Sequence, residues 1–399
     1  MKKNVTDYRV GNKRVIIRCD LNVPIENGEI TDDTRIRKSL ETIEYLINGR
    51  AKVIILSHFG RVKEESDKEK YSLKPVCDRL NKFLYKPAKF IPFTRGVEVE
   101  NAVNSMEAGD VIMLENTRFE DLDNNKESNN DLELSKYWAS LADIYINDAF
   151  GTLHRNHASV VGIPSFIPSG IGFLVKNEIE KFEKTLSKPK RPLMVVLGGA
   201  KVSDKLGAIR NLVNIADLIL IGGGMSFTFY KALGYDIGLS IVDDESLEFC
   251  KKLYDVYKNK IYLPEDILVA SSISEGASVR NISYKDIRQN EIGVDVGINT
   301  ISRYKSLLMK AETIIWNGPV GMFEMANFSK GTRKLVEILH SSRANIIVGG
   351  GDTVSAVNKF ELNNKDVFIS TGGGASLRML EGKELPGIKV ISAKNEKTK

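Results

Sequence analysis

The chain predicts an α/β protein made of two doubly wound parallel-sheet domains, and three observations carry that reading. Short continuous apolar runs alternate with stretches of helical periodicity along the whole 399 residues, as parallel strands do when helices cover both faces of their sheet. The length suits two cores better than one. Clusters of glycine or of charged residues follow the apolar runs, at the carboxyl ends where open α/β sheets bind ligands.

The predicted strands come in two groups. The first holds Val15-Ile16-Ile17, Val53-Ile54-Ile55-Leu56, Val111-Ile112-Met113-Leu114 and Ile144-Tyr145-Ile146. The second holds Met194-Val195-Val196-Leu197, Leu218-Ile219-Leu220-Ile221, Ile261-Tyr262-Leu263, Thr313-Ile314-Ile315-Trp316, Ile346-Ile347-Val348 and Val367-Phe368-Ile369. Pro164 and Pro168 lie in a Gly/Pro/Ser-rich stretch after the first group, and Pro189 and Pro192 flank the next strand. Val175, Ile179, Phe182 and Leu186 recur at helical spacing between them, which predicts an amphipathic helix within a connector at 171–190. The expected domains are therefore 1–170 and 191–378. Residues 121–136 mix acidic and basic side chains and read as a surface loop entering a helix.

Composition excludes several classes. Apolar content of 42% and charged content of 27% are those of a globular protein. No run approaches the roughly 20 apolar residues of a membrane helix, and the first residues lack the apolar core of a secretory signal. The net charge of +5 is spread along the chain. A nucleic-acid binder would concentrate it in a stripe with stacking aromatics. Cys19, Cys77 and Cys250 are isolated and odd in number, which fits ordinary thiols in a reducing cytoplasm.

The second half is rich in glycine at strand ends: Gly198-Gly199, Gly222-Gly223-Gly224, Gly349-Gly350-Gly351 and Gly372-Gly373-Gly374. Bare amides at a strand-to-helix turn favour phosphate. Lys201 and Lys205 follow the first of these clusters, four residues apart at an expected helix start. Asp352 follows the third and reads as a magnesium ligand or a helix N-cap, with Thr353 as the alternative cap. Asn317 and Glu324 belong to a turn after Trp316, where a carboxylate suits ribose hydroxyls.

The first half carries arginine and histidine instead. Asp20 and Asn22 follow its first strand, with Arg35 just beyond; His58 and Arg61 follow the second; Arg118 the third; His154, Arg155 and His157 the fourth. Arginine forks suit phosphate and carboxylate. Any one arginine reads first as a surface salt bridge, but four at strand ends point to an anion site. His154 and His157 lack a third ligand of matching character, so hydrogen bonding or anion contact is expected of them rather than zinc.

Taken together, Arg18 through Pro24, Ser57 through Arg61, Asn147 through His157, Gly198 through Lys205, Trp316 through Glu324, Gly349 through Thr353 and Ser370 through Ser376 resemble the motifs of phosphoglycerate kinases, from about Lys13 to Ile388. The resemblance implies two Rossmann-like domains joined by a helix and hinge. It also implies reversible phosphoryl transfer between 1,3-bisphosphoglycerate and ADP, giving 3-phosphoglycerate and ATP with Mg2+. Asp20, Asn22, Arg35, His58, Arg61, Arg118 and Arg155 would hold the phosphoglycerate. Lys201, Lys205, Asn317, Glu324, Gly351, Asp352 and Thr353 would serve the nucleotide, with Gly223 in the wall of its nucleoside pocket and Asp352 on the metal. Arg35, Lys201 and the amides of Gly372, Gly373 and Gly374 would face the phosphoryl group in flight. The segment 379–399 would return to the first domain, and a cytoplasmic monomer with no nucleic-acid or membrane partner is implied. One departure is Ile298, in Val294 through Thr300, where the family usually has proline; this loosens the expected turn.

The carboxylate acceptor is already ionised at neutral pH, so alignment and charge neutralisation suffice and no general base is expected. Two rival readings fare worse. A nicotinamide-dependent dehydrogenase would end its first strand in G-x-G-x-x-G rather than Asp20-Leu21-Asn22-Val23-Pro24. A non-catalytic interaction module would have no use for Arg35, Lys201 and Asp352.

Overall fold

In the computed structural model, which describes residues 2–394, the chain divides into two compact units. Unit 1 takes residues 2–181 and 384–394, and unit 2 takes residues 182–383.

Unit 1 is built on six parallel strands: β1 (Arg14–Cys19), β2 (Lys52–Leu56), β3 (Lys89–Ile91), β4 (Val111–Leu114), β5 (Ile144–Asp148) and β6 (Ser169–Ile171), in the order β3-β4-β2-β1-β5-β6. Val15, Ile16 and Ile17 are all fully buried, so both faces of the central strand are covered. That explains the continuous apolar run. Each such side chain contributes roughly 1.5–3 kcal/mol by burial. Helix α1 (Thr34–Asn48) turns Ile36, Ile43, Leu46 and Ile47 inward. Residues 384–394 bond into this unit, Lys3 donating its amide to the Ser392 carbonyl at 2.9 Å, and the rest of the expected returning segment, 395–399, lies outside the described residues.

Helix α2 (Phe173–Ser187) contains the connector's predicted helix. Its entry is held by Asp148 at the end of β5, whose Oδ1 accepts the Val175 amide at 3.2 Å. Burial pushes the Asp148 carboxyl up to about 7.

Unit 2 repeats the plan with β7 (Leu193–Leu197), β8 (Leu218–Ile221), β9 (Ile261–Tyr262), β13 (Thr313–Asn317), β14 (Asn345–Gly349) and β15 (Val367–Ile369), ordered β9-β8-β7-β13-β14-β15. Between β9 and β13 lies a three-stranded antiparallel sheet of β10 (Asp266–Ala270), β11 (Val279–Ser283) and β12 (Ile292–Val296). The main helices are α3 (Leu206–Ile215), α4 (Ile298–Leu308), α5 (Lys330–Ser341), α6 (Gly351–Lys359) and α7 (Gly373–Leu380). Ile298 does not sit in a loose turn. It opens α4, and its amide donates to Asn281 Oδ1 at 3.2 Å, a bond that proline could not make.

Candidate active site

At the carboxyl edge of the first sheet, Arg18 is fully buried near the end of β1. Its Nε donates to Ser159 Oγ at 2.8 Å, one terminal nitrogen donates to the Cys19 carbonyl, and the other lies 3.3 Å from His58 Nδ1. Guanidinium can only donate, so Nδ1 of His58 accepts and its proton sits on Nε2. Burial, then the charges of Arg18, Arg155, Arg118 and Arg35, hold His58 well below its ordinary range. It is a neutral donor at physiological pH. Asp20 accepts from Arg35 at 2.9 Å, and Asn22 Oδ1 accepts the Gly60 amide at 2.9 Å, joining the loops after β1 and β2.

The loop after β4 is locked by Asn116, which accepts the amides of Phe59 and Arg118, both at 3.0 Å. Arg118 bonds Asp121 at 2.6 Å and also Ser128. Arg155 is depressed by burial first and by Arg118 next. The Nε atoms of Arg118 and Arg155 are buried without a hydrogen-bond partner, which leaves donors for an anion. Arg61 is exposed, and its charge reaches Arg155. His157 is pushed down to about 3 by burial and the same arginines, so it too is neutral.

Unit 2 builds its site from backbone. Helices α6 and α7 both begin at glycines, Gly350 and Gly372 standing at their N-cap positions. The two N-termini converge: a Cβ placed on Gly373 would lie 3.8 Å from the Gly351 amide nitrogen. Together with Lys205, Asn317, Asp352 and Thr353 they line a cavity of about 220 Å³. Two helix N-termini and a lysine are features that suit a phosphate-sized anion. A second cavity of about 590 Å³ is lined by Gly223, Gly224, Phe227, Leu239, Ile241, Val320, Met322, Glu324 and again Asp352. Its apolar walls suit a planar base, with Glu324 at the polar side. Gly223 has φ +64°, and a Cβ there would meet the Gly199 backbone at 2.9 Å, so this triplet is also what lets the strand-end loops approach each other.

The fold and these two sites can be set beside known proteins. A model of the family described as phosphoglycerate kinase matches residues 5–383. The phosphoglycerate kinase of Enterococcus faecalis is 49% identical over 395 residues, covering 98% of this chain and all of its own, and that of Fusobacterium nucleatum is 49% identical over 398 residues. The chain belongs to the phosphoglycerate kinase family. Among solved structures, phosphoglycerate kinase from Coxiella burnetii superposes with a TM-score of 0.85 at 40% identity, each chain covered to 98%. The enzyme from Pyrococcus horikoshii gives 0.84 at 31% identity, with 97% of this chain and 98% of that one covered. This chain is accordingly a phosphotransferase, moving phosphate between ATP or ADP and phosphoglycerate.

Against this family background, three sequence expectations change. Lys201 and Lys205 do not share a helix start: α3 begins at Leu206, Lys205 turns back to the Gly198 carbonyl at 2.8 Å, and exposed Lys201 is not in the wall of the smaller cavity. Neither Asp352 nor Thr353 caps α6, since Gly350 holds that position and Thr353 Oγ1 instead accepts the Gly318 amide at 2.6 Å. Residues 121–136 are not simply surface, because Glu127 is completely buried. Sequence reasoning also passed over Arg18 as a group beneath the site, and over Phe227, Leu239 and Ile241. The only signal for Arg18 was its place inside an apolar strand.

Proposed function

We propose that unit 1 binds 3-phosphoglycerate or 1,3-bisphosphoglycerate and unit 2 binds ADP or ATP, with direct in-line transfer between them. The observation that supports it most is the contrast of the two strand edges: half-buried arginines with buried, unpartnered Nε donors on one, converging helix N-termini beside an apolar cavity on the other. Asp20, Asn22, Arg35, His58, Arg61, Arg118 and Arg155 are assigned to the phosphoglycerate. Lys205, Asn317, Gly351, Asp352 and Thr353 are assigned to the nucleotide phosphates, and Gly223 and Glu324 to the nucleoside. Arg35, Lys201 and the amides of Gly372, Gly373 and Gly374 are assigned to the charge of the transferring group.

Magnesium fits this arrangement. Among the described residues no three His, Cys, Asp or Glu side chains gather as a metal site. Mg2+, however, is commonly held by one carboxylate, substrate phosphates and water. Exposed Asp352, at the rim of both cavities, is that carboxylate. Bound there, the ion would neutralise phosphate charge. Because the ligands belong to different units, closure about the 171–190 connector is part of the proposal. The expected form is a cytoplasmic monomer, in keeping with three free cysteines; no described helix is long and apolar enough to cross a membrane. A coupled assay of ATP-dependent phosphorylation of 3-phosphoglycerate tests the reading. Turnover should vanish with excess EDTA and return with Mg2+, and turnover that persists in EDTA rejects the metal role.

A further inference from the structure

One buried residue linked to the strand-end arginines of unit 1 has no role in the assignments above. Glu127 lies in the segment between Leu122 and the helix Leu132–Ser140, yet it is 0% exposed. Both carboxylate oxygens accept from Ser159, one from its amide at 2.9 Å and the other from its hydroxyl at 2.5 Å. The same Ser159 hydroxyl accepts from Arg18 Nε at 2.8 Å. The Glu127 backbone carbonyl takes the Ala158 amide at 2.9 Å, and Glu127 Oε1 lies 3.7 Å from His157 Nδ1. A buried carboxylate that accepts at both oxygens is therefore one bond removed from a fully buried guanidinium.

The chain of contacts continues to the ligand side. Arg18 donates toward His58 Nδ1, fixing the histidine proton on Nε2. His58 Nδ1 stands 4.0 Å from Asp20 Oδ1, which also receives Arg35. A guanidinium buried among Arg118, Arg155 and Arg35 would be costly without a nearby opposite charge. Asp20 already serves Arg35, and Asp121 serves Arg118. Burial raises the Glu127 carboxyl, but the Arg18 charge and the two Ser159 bonds act against that rise.

We propose that Glu127 is a positioning residue for the phosphoglycerate site: through Ser159 it holds Arg18, and through Arg18 it holds the donor face of His58. This rests on the assignment of the phosphoglycerate to unit 1. Glu127 itself touches no substrate. Its influence is felt where the anion binds, and not at the nucleotide.

The test compares KM values for 3-phosphoglycerate and ATP in Glu127→Gln, Ser159→Ala and the double variant, with Arg155→Ala as a control of the site itself and circular dichroism melting on each. Glu127→Gln keeps the volume but removes the charge. It should raise KM for 3-phosphoglycerate about tenfold, the scale of disturbing a buried charged hydrogen bond, with KM for ATP unchanged and cooperative melting retained. The double variant should be no worse than the worse single one, because both act through one relay. The proposal is overturned if Glu127→Gln leaves the 3-phosphoglycerate KM unmoved, shifts both KM values alike, or adds to Ser159→Ala independently. If Arg155→Ala also leaves that KM unmoved, the site assignment fails as well. If Arg155→Ala raises it and Glu127→Gln does not, only the positioning role fails.

Discussion

On the proposed assignment, the two units would meet anions by opposite means. Unit 1 would use side-chain charge, gathering Arg18, Arg118 and Arg155 about two histidines that burial first, and then these charges, hold neutral. Unit 2 uses geometry, aiming the amides of α6 and α7 into one cavity with a single lysine. The cost also falls differently. Unit 1 must offset repulsion among clustered cations: Asp20 pairs with Arg35 and Asp121 with Arg118, and the proposal gives Glu127 the same part toward Arg18. Unit 2 must allow backbone to approach backbone, which is why Gly223 and its neighbours cannot carry side chains.

The largest effects should come from the charges assigned to the transferring group. Arg35→Ala and Lys201→Ala should each lower kcat by roughly 100-fold, the scale of losing one transition-state contact; steady-state kinetics showing near-normal kcat in both would break the comparison at its centre. Next, Gly223→Ala should destabilise by roughly 1–3 kcal/mol, because φ +64° and the 2.9 Å approach to Gly199 leave no room for Cβ. Urea titration reads this, and an unchanged midpoint would show that unit 2 tolerates side chains where backbone packing is claimed to forbid them.

A pH effect should appear in both units. Asp148 and Asp295 are each raised by burial from 3.8 to about 7. Their folded forms bind a proton that the unfolded chain has lost, so their contribution is full below about pH 4 and fades as pH climbs to 7. Asp148→Asn and Asp295→Asn should therefore gain stability relative to the parent at pH 8 and little at pH 5. Equal gains at both values would contradict the burial argument. The smallest effect is expected from Ile298→Pro. Proline favours the first position of a helix, but here it also removes the bond to exposed Asn281. The two should nearly cancel, leaving a change within about 0.5 kcal/mol in thermal unfolding.

These contrasts also explain what was legible in the sequence. Strands buried on both faces declare themselves, as Leu218–Ile221 and Val111–Leu114 do to the residue. Lys89–Ile91 and Ser169–Ile171 do not, because three-residue edge strands holding lysine, serine and glycine carry no apolar run. The antiparallel sheet was missed because β11 exposes Arg280 and Asn281 and alternates weakly. Strand-end arginines and glycine clusters were visible as motifs. Arg18 and Glu127 were not understood, since hydropathy treats a charge as surface and only tertiary structure shows that both are buried and bonded to Ser159. The apolar walls of the base-sized cavity escaped for a related reason: Phe227, Leu239 and Ile241 come from separate segments and look like ordinary core.

The claim that the two units hold different ligands by different means is tested most directly by calorimetric titration of 3-phosphoglycerate and of Mg-ADP, separately, into Arg155→Ala. The account predicts a loss of about tenfold or more in phosphoglycerate affinity, the scale of one charged hydrogen bond, with ADP affinity unchanged. Equal loss of both affinities would contradict it.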